Sequence, residues 1–119
     1  MRSDSNTTII ELRNKVREFV HARNWGKYHN PKDLAISICI EAAELLELFQ
    51  WRSVDEVLKW IDDEEKRKKV TEELADVLIY GLSMANILNI DLTSAILDKL
   101  TKNESKYPFE KYKGKAHLD

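Results

Sequence analysis

A chain of 119 residues falls within the size range of one compact domain, and a formal net charge of −2 leaves no broad basic surface for duplex nucleic acid. A single cysteine, Cys39, excludes an intrachain disulfide and a cysteine-ligated zinc or iron–sulfur centre, and fits a reducing cytosol. With no run of about 18 uncharged apolar residues and no leader-like segment in MRSDSNTTII, the expectation is a cytoplasmic protein without membrane contact.

Only three glycines and two prolines occur, and apolar residues recur at three- and four-residue spacing, so the chain is expected to be all-α and to fold as one domain over 1–119. Thr8 and Glu11 form a capping-box pattern opening a first helix over about 8–23, with Ile9, Leu12, Val16, Phe19 and Val20 as its apolar stripe. The stretch 24–33, with Gly26 and Asn30-Pro31, reads as a loop. A second helix follows over about 34–51, and Ser53 with Glu56 caps a short third helix ending near Trp60. After the charged cluster 62–69, a long helix over about 63–88 closes at Asn89, and Asp91 caps another over about 92–105 that Pro108 ends. The core is therefore placed at about 8–108, and the tail 109–119 lacks apolar periodicity and is expected to be loosely held.

The chemistry concentrates on two of these helices. From Leu34 to Gln50 there are three glutamates and no lysine or arginine, and at about 100° per residue Ser37, Glu41 and Glu44 share a stripe roughly 60° wide. On the long helix Glu73, Asp76, Tyr80 and Ser83 share a second stripe, opposite an apolar one made of Val70, Leu74, Val77, Leu78, Gly81, Ala85 and Leu88. Antiparallel packing of the two helices would bring four carboxylates together, the all-oxygen donor set that a hard divalent cation requires. The acidic pairs contain no histidine, because His21, His29 and His117 lie elsewhere, so Mg2+, with Mn2+ as a substitute, suits the donors better than zinc, copper or iron. The plain alternative is that these acids are solvated, Glu73 being paired with Lys69 one turn earlier.

The spacing of Glu41-Ala-Ala-Glu44 and Glu73-Leu-Ala-Asp76 resembles the paired ExxE and ExxD signature of the MazG-like, all-α nucleoside triphosphate pyrophosphatases. The stretches NWGKYHNP, ELLELFQW, EELADVLIY and KLTKNESKYP are similar to the dCTP pyrophosphatase branch over about 12–108. The resemblance implies a four-helix-bundle-like fold with a short extra helix. It further implies that Glu41, Glu44, Glu73 and Asp76 hold magnesium while a nucleoside triphosphate is cut between its α and β phosphates. Such an activity clears unwanted or modified nucleotides, dCTP-like ones in particular. Proton abstraction from the attacking water falls to a carboxylate of the second helix, with Glu41, Glu44 and Glu47 as the candidate catalytic residues. The resemblance also assigns Trp25, Tyr28, His29, Trp51 and Tyr80 to the base pocket, and Lys99 and Asn103, one turn apart, to phosphate or base. Cytosine enzymes of that branch carry a histidine on the first helix where this chain has Val16, a departure that bears on base preference.

Two other functions compete with this one: phosphoribosyl-ATP pyrophosphohydrolysis, which also breaks an α–β bond, and a non-enzymatic helical oligomerisation module. Association into a homodimer or homotetramer is expected in any case. Ile79 and Leu82 extend the apolar surface of the long helix beyond a single stripe, and a second copy is the commonest cover for such surface.

Overall fold

The computed structural model describes residues 1–115; His117 and the rest of 116–119 lie outside the described residues. Within them all the regular secondary structure is helical. The elements are α1 (Ile9–Ala22), a 3-10 turn (Gly26–Tyr28), α2 (Pro31–Glu47), α3 (Val54–Trp60), α4 (Glu64–Leu88), α5 (Leu92–Lys106) and α6 (Phe109–Tyr112). They fall into two compact units, one of residues 1–89 and one from Ile90 onward. No single helix among the described residues is long and apolar enough to cross a membrane.

Caps set the helix starts. Thr8, Ser53 and Asp91 each accept a hydrogen bond from the backbone N–H three residues on, as the sequence predicts, and Asp63 does the same at the start of α4. The expected start of α2 is corrected by three residues for the same reason. Asn30 Oδ1 accepts from the Asp33 N–H at 2.9 Å and Pro31 occupies the first helical position, so the segment expected to be loop begins the helix. At its other end α2 stops at Glu47 instead of near residue 51, and the chain turns through Trp51 with φ of 67°. The long helix closes on Asn89 in the left-handed conformation, φ 57°. The segment expected to be a loose tail contains one helical turn, α6, whose Tyr112 ring meets that of Tyr107 edge-on at 5.1 Å.

In the first unit α1 and α2 both pack on α4. The buried side chains match in part those that periodicity predicts. Among the described residues Leu34 and Ala85, the latter on the predicted apolar stripe of α4, are the fully buried apolar side chains, and on α1 it is Arg13 that is buried, whereas Leu12 and Phe19 of the apolar stripe stay exposed. Arg13 Nη2 donates to the Ala85 carbonyl and Arg13 Nε to Asn86 Oδ1, both at 3.0 Å; Asn86 Nδ2 donates back to the Arg13 carbonyl at 3.1 Å. Arg17 Nη2 donates to the same Asn86 oxygen at 3.1 Å. A polar clamp, not an apolar seam, ties α1 to α4 at this level.

The apolar stripe of α4 is only partly covered: Ala85 is buried and Val70, Val77 and Gly81 are half-buried. Leu74 and Leu78 are 46% and 58% exposed, and on α2 Ile36, Ile40 and Leu46 are exposed as well. What α4 turns toward α2 is its acidic stripe. Replacing Asn86 with Ala removes the acceptor shared by Arg13 and Arg17, and is expected to lower stability by about 1–3 kcal/mol. The urea midpoint should fall at unchanged slope.

Candidate metal centre and nucleotide cleft

α2 and α4 run antiparallel. Glu41 meets Glu73 and Asp76, and Leu48, two turns later at the C-cap of α2, shares a cleft with Lys69 and Lys66, which precede Glu73 on α4. One carboxylate oxygen from each of Glu41, Glu73 and Asp76 lies within 4.8 Å of the others. Glu44 is more exposed, yet its charge acts on both Glu41 and Glu73. The four acids read from the two helices are therefore neighbours. Glu47, the last residue of α2, is exposed and is not among the carboxylates that converge.

This convergence is electrostatically unfavourable by itself. Burial pushes the Glu41 carboxyl above its ordinary range, and hydrogen bonding and charge from Glu44, then the charges of Asp76 and Glu73, push it further. Glu73 is raised likewise, by burial first and then by Glu44. Two oxygens, Glu41 Oε2 and Glu73 Oε2, are buried without a hydrogen-bond partner. Among the described residues Lys69 forms no ion pair with Glu73, so the solvated-pair alternative is not what the helices adopt. Buried acceptors that lack donors and gather from two helices fit a divalent cation held by oxygen.

A cleft of about 440 Å³ opens next to the acids, with Asp76 in its wall. Phe19, Trp25, His29, Tyr80 and Ser83 also line it. The His29 ring is stacked on that of Tyr80, with centroids 6.4 Å apart, and His29 Nδ1 is 3.0 Å from the Trp25 carbonyl. Phe19 meets Trp25 edge-on at 5.6 Å. A second cleft of about 270 Å³, lined by Arg17, His21, Asn24 and Asn86, continues from it across Val20, His29 and Ser83.

Of the expected pocket residues, Trp25, His29 and Tyr80 come together here. Tyr28 lies outside, exposed under the Lys27 ammonium at 5.1 Å, and Trp51 is 91% exposed and lines none of the described clefts. Lys99 and Asn103 are one turn apart on α5, in the second unit. Phe19 is a lining residue that sequence reasoning misses, because an aromatic within a helical apolar stripe is indistinguishable from core. Ser83 carries a faint signal, its place on the acidic stripe. It is only 3% exposed, and its hydroxyl has no partner.

A family model described as MazG-like matches residues 36–117. The chain belongs to the MazG-like family. Its relatives include proteins named dCTP pyrophosphatase 1: that of Mus musculus is 35% identical over 109 residues, 92% of this chain and 64% of the relative, and that of Homo sapiens is 36% identical over 101 residues, 85% and 59%. This MazG-like chain thus spans less than two thirds of the length of those curated relatives. A crystal structure of a pyrophosphatase from Archaeoglobus fulgidus is similar with a TM-score of 0.79 and 46% identity, covering 91% of this chain and 99% of that one.

The raised carboxyls make a directional prediction for the metal-free protein. A carboxyl that binds its proton more tightly folded than unfolded favours folding at low pH and stops doing so as pH rises through its folded value. Melting temperature should therefore fall as pH climbs above 4.5, the ordinary glutamate value, and Glu44→Gln should lessen that fall. A metal-free Glu44→Gln protein melting below the parent at pH 7 would contradict the crowding.

Proposed function

We propose that this chain hydrolyses (deoxy)nucleoside triphosphates between the α and β phosphates, releasing nucleoside monophosphate and pyrophosphate in the cytosol. The observation that carries this is the pair of buried, partnerless oxygens on Glu41 and Glu73 beside a cleft walled by aromatic rings. The names of the relatives support it and favour dCTP-like substrates.

Glu41, Glu73 and Asp76, with Glu44 beside them, are the residues to hold Mg2+, or Mn2+ in its place. Such an ion withdraws charge from phosphoryl oxygens and makes water a better nucleophile at neutral pH. In the step itself the water oxygen bonds to the α phosphorus, and the bridging oxygen leaves with pyrophosphate. Glu44 would take the water's proton, a choice supported by its being the most exposed of the four acids and close to two of them. Trp25, His29 and Tyr80 offer faces and edges for the base, and stacking contributes roughly 1–3 kcal/mol per base in other nucleotide binders. Lys99 and Asn103 are kept as candidates for phosphate contact.

The working unit in this reading is a homodimer or a dimer of dimers, with the four-helix arrangement completed between copies. Leu74 and Leu78 on α4 and Ile36, Ile40 and Leu46 on α2 form apolar faces that a second copy would cover.

Three measurements test these statements. A panel of nucleoside triphosphates with magnesium should yield pyrophosphate; release of orthophosphate alone, or no activity on any member, overturns the reading. Glu44→Gln and Asp76→Asn should each lower turnover by roughly 100-fold or more while the fold survives. Light scattering should give at least twice the 13.9 kDa chain mass, and an active monomer would exclude the assembly.

A further inference from the structure

The face of α4 that carries the acids continues past them. Counting about 100° per residue, Lys66, Lys69, Glu73, Asp76, Tyr80 and Ser83 occupy one stripe about 100° wide. Along the helix this stripe changes chemistry in order: two lysines, two acids, then the aromatic and hydroxyl wall of the base cleft. The matching stripe of α2 reaches its C-cap, Leu48, one turn beyond Glu44. Lys66, Lys69 and Leu48 line a separate cleft of about 400 Å³, together with Arg52, Trp60, Asp63 and Glu65. It sits on the far side of the acids from Tyr80 and Ser83, and Lys69 is about 6 Å along the axis from Glu73.

Two of the three cations of this cleft are held without being neutralised. Arg52 lies over the Trp60 ring with its guanidinium carbon 5.5 Å from the centroid, and Lys66 Nζ is 5.9 Å from the same centroid. Attraction to a ring face orients a cation while leaving its charge available. Trp60 is itself fixed by stacking on Phe49 at 5.3 Å, and its Nε1 is a buried donor without a partner. Of the two acids in the wall, Asp63 is engaged in capping, its Oδ2 accepting from the Lys66 N–H at 3.1 Å. Three cations against two carboxylates, one of them occupied, make the cleft modestly positive, so it suits an anion that arrives with a divalent cation rather than alone.

We propose that the cleft bounded by Arg52, Lys66 and Lys69 is a pyrophosphate subsite that receives the β and γ phosphates of the substrate and then the leaving group. The inference rests on the triphosphate reading above. It adds a direction: base over Trp25 and Tyr80, α phosphate at the acids, pyrophosphate toward the start of α4. Lys66 and Lys69 would stabilise the charge that builds on the leaving group as the bridging bond breaks.

The test is product inhibition of the full chain with Mg2+ present, comparing the parent with a Lys66→Gln/Lys69→Gln double variant. The inhibition constant for pyrophosphate should rise about tenfold or more, while that for nucleoside monophosphate stays within about twofold. Lys66→Arg/Lys69→Arg should restore tight pyrophosphate inhibition. Unchanged inhibition by pyrophosphate in the glutamine variant overturns the subsite, as does an equal loss for both products. Should the glutamine pair fail to fold, Arg52→Gln is judged by the same criteria. If the parent hydrolyses no triphosphate, the functional reading fails, and the subsite is then decided by calorimetric titration with magnesium pyrophosphate. Binding to the parent that the double variant loses supports the subsite; equal binding, or none to either, overturns it.

Discussion

Like charge crowded between α2 and α4 is the constraint around which the first unit is arranged. Glu41 and Glu73 are each pushed toward their neutral forms by burial, and Glu44 and Asp76 add to that pressure. A seam of this kind cannot hold two helices together by itself. It persists because other contacts fix the helices: Leu34 buried on α2, and the Arg13–Asn86 clamp joining α1 to α4. The same crowding is what makes the seam chemically capable, since oxygens that lack donors are available to a cation that supplies the missing positive charge.

Turning the acidic stripe inward has a geometric consequence. Leu74 and Leu78 lie away from Glu73 and Asp76 on the helical projection, so α4 cannot direct both stripes at α2. The exposed apolar residues follow directly from the inward acids. In the proposed assembly a second copy would remove that surface from water at about 25 cal/mol per Å². The favourable burial that a single chain forgoes at its acidic seam would then be recovered between chains.

Much of this was legible in the residues. Each cap named by Thr8, Ser53 and Asp91 forms, because a side-chain acceptor three residues before a backbone donor is a local geometry that needs no tertiary information. The acids of the two helices could be paired because a 3.6-residue period fixes what shares a face. Burial was not legible in the same way. The apolar stripe of α1 and the buried Arg13 fall on overlapping faces, and only the Ala85 carbonyl and Asn86, more than 70 positions away, decide that the arginine goes inside. Aromatic placement was similarly hidden. Trp25 and Trp51 each follow a helix, yet one lines the cleft and the other is exposed, a difference set by how the chain leaves each helix rather than by residue type.

Trp51 carries this reasoning one step further. Among the described residues, three that are not glycine have left-handed backbone conformations, Asn24, Trp51 and Asn89. Asparagine tolerates that region because its short amide can bond locally, whereas a bulky aromatic there costs on the order of 1–3 kcal/mol. Tryptophan that is 91% exposed also leaves a large apolar surface in water. Both penalties fall on one residue in the turn that follows the helix carrying Glu41 and Glu44, and it lines none of the described clefts. Strain of this kind persists where a surrounding structure repays it. In the proposed assembly the compensation would come from the second copy, against which an indole projecting from the end of α2 would be covered. Trp51 then belongs to the same account as Leu74 and Leu78, as surface presented by one chain for another to complete.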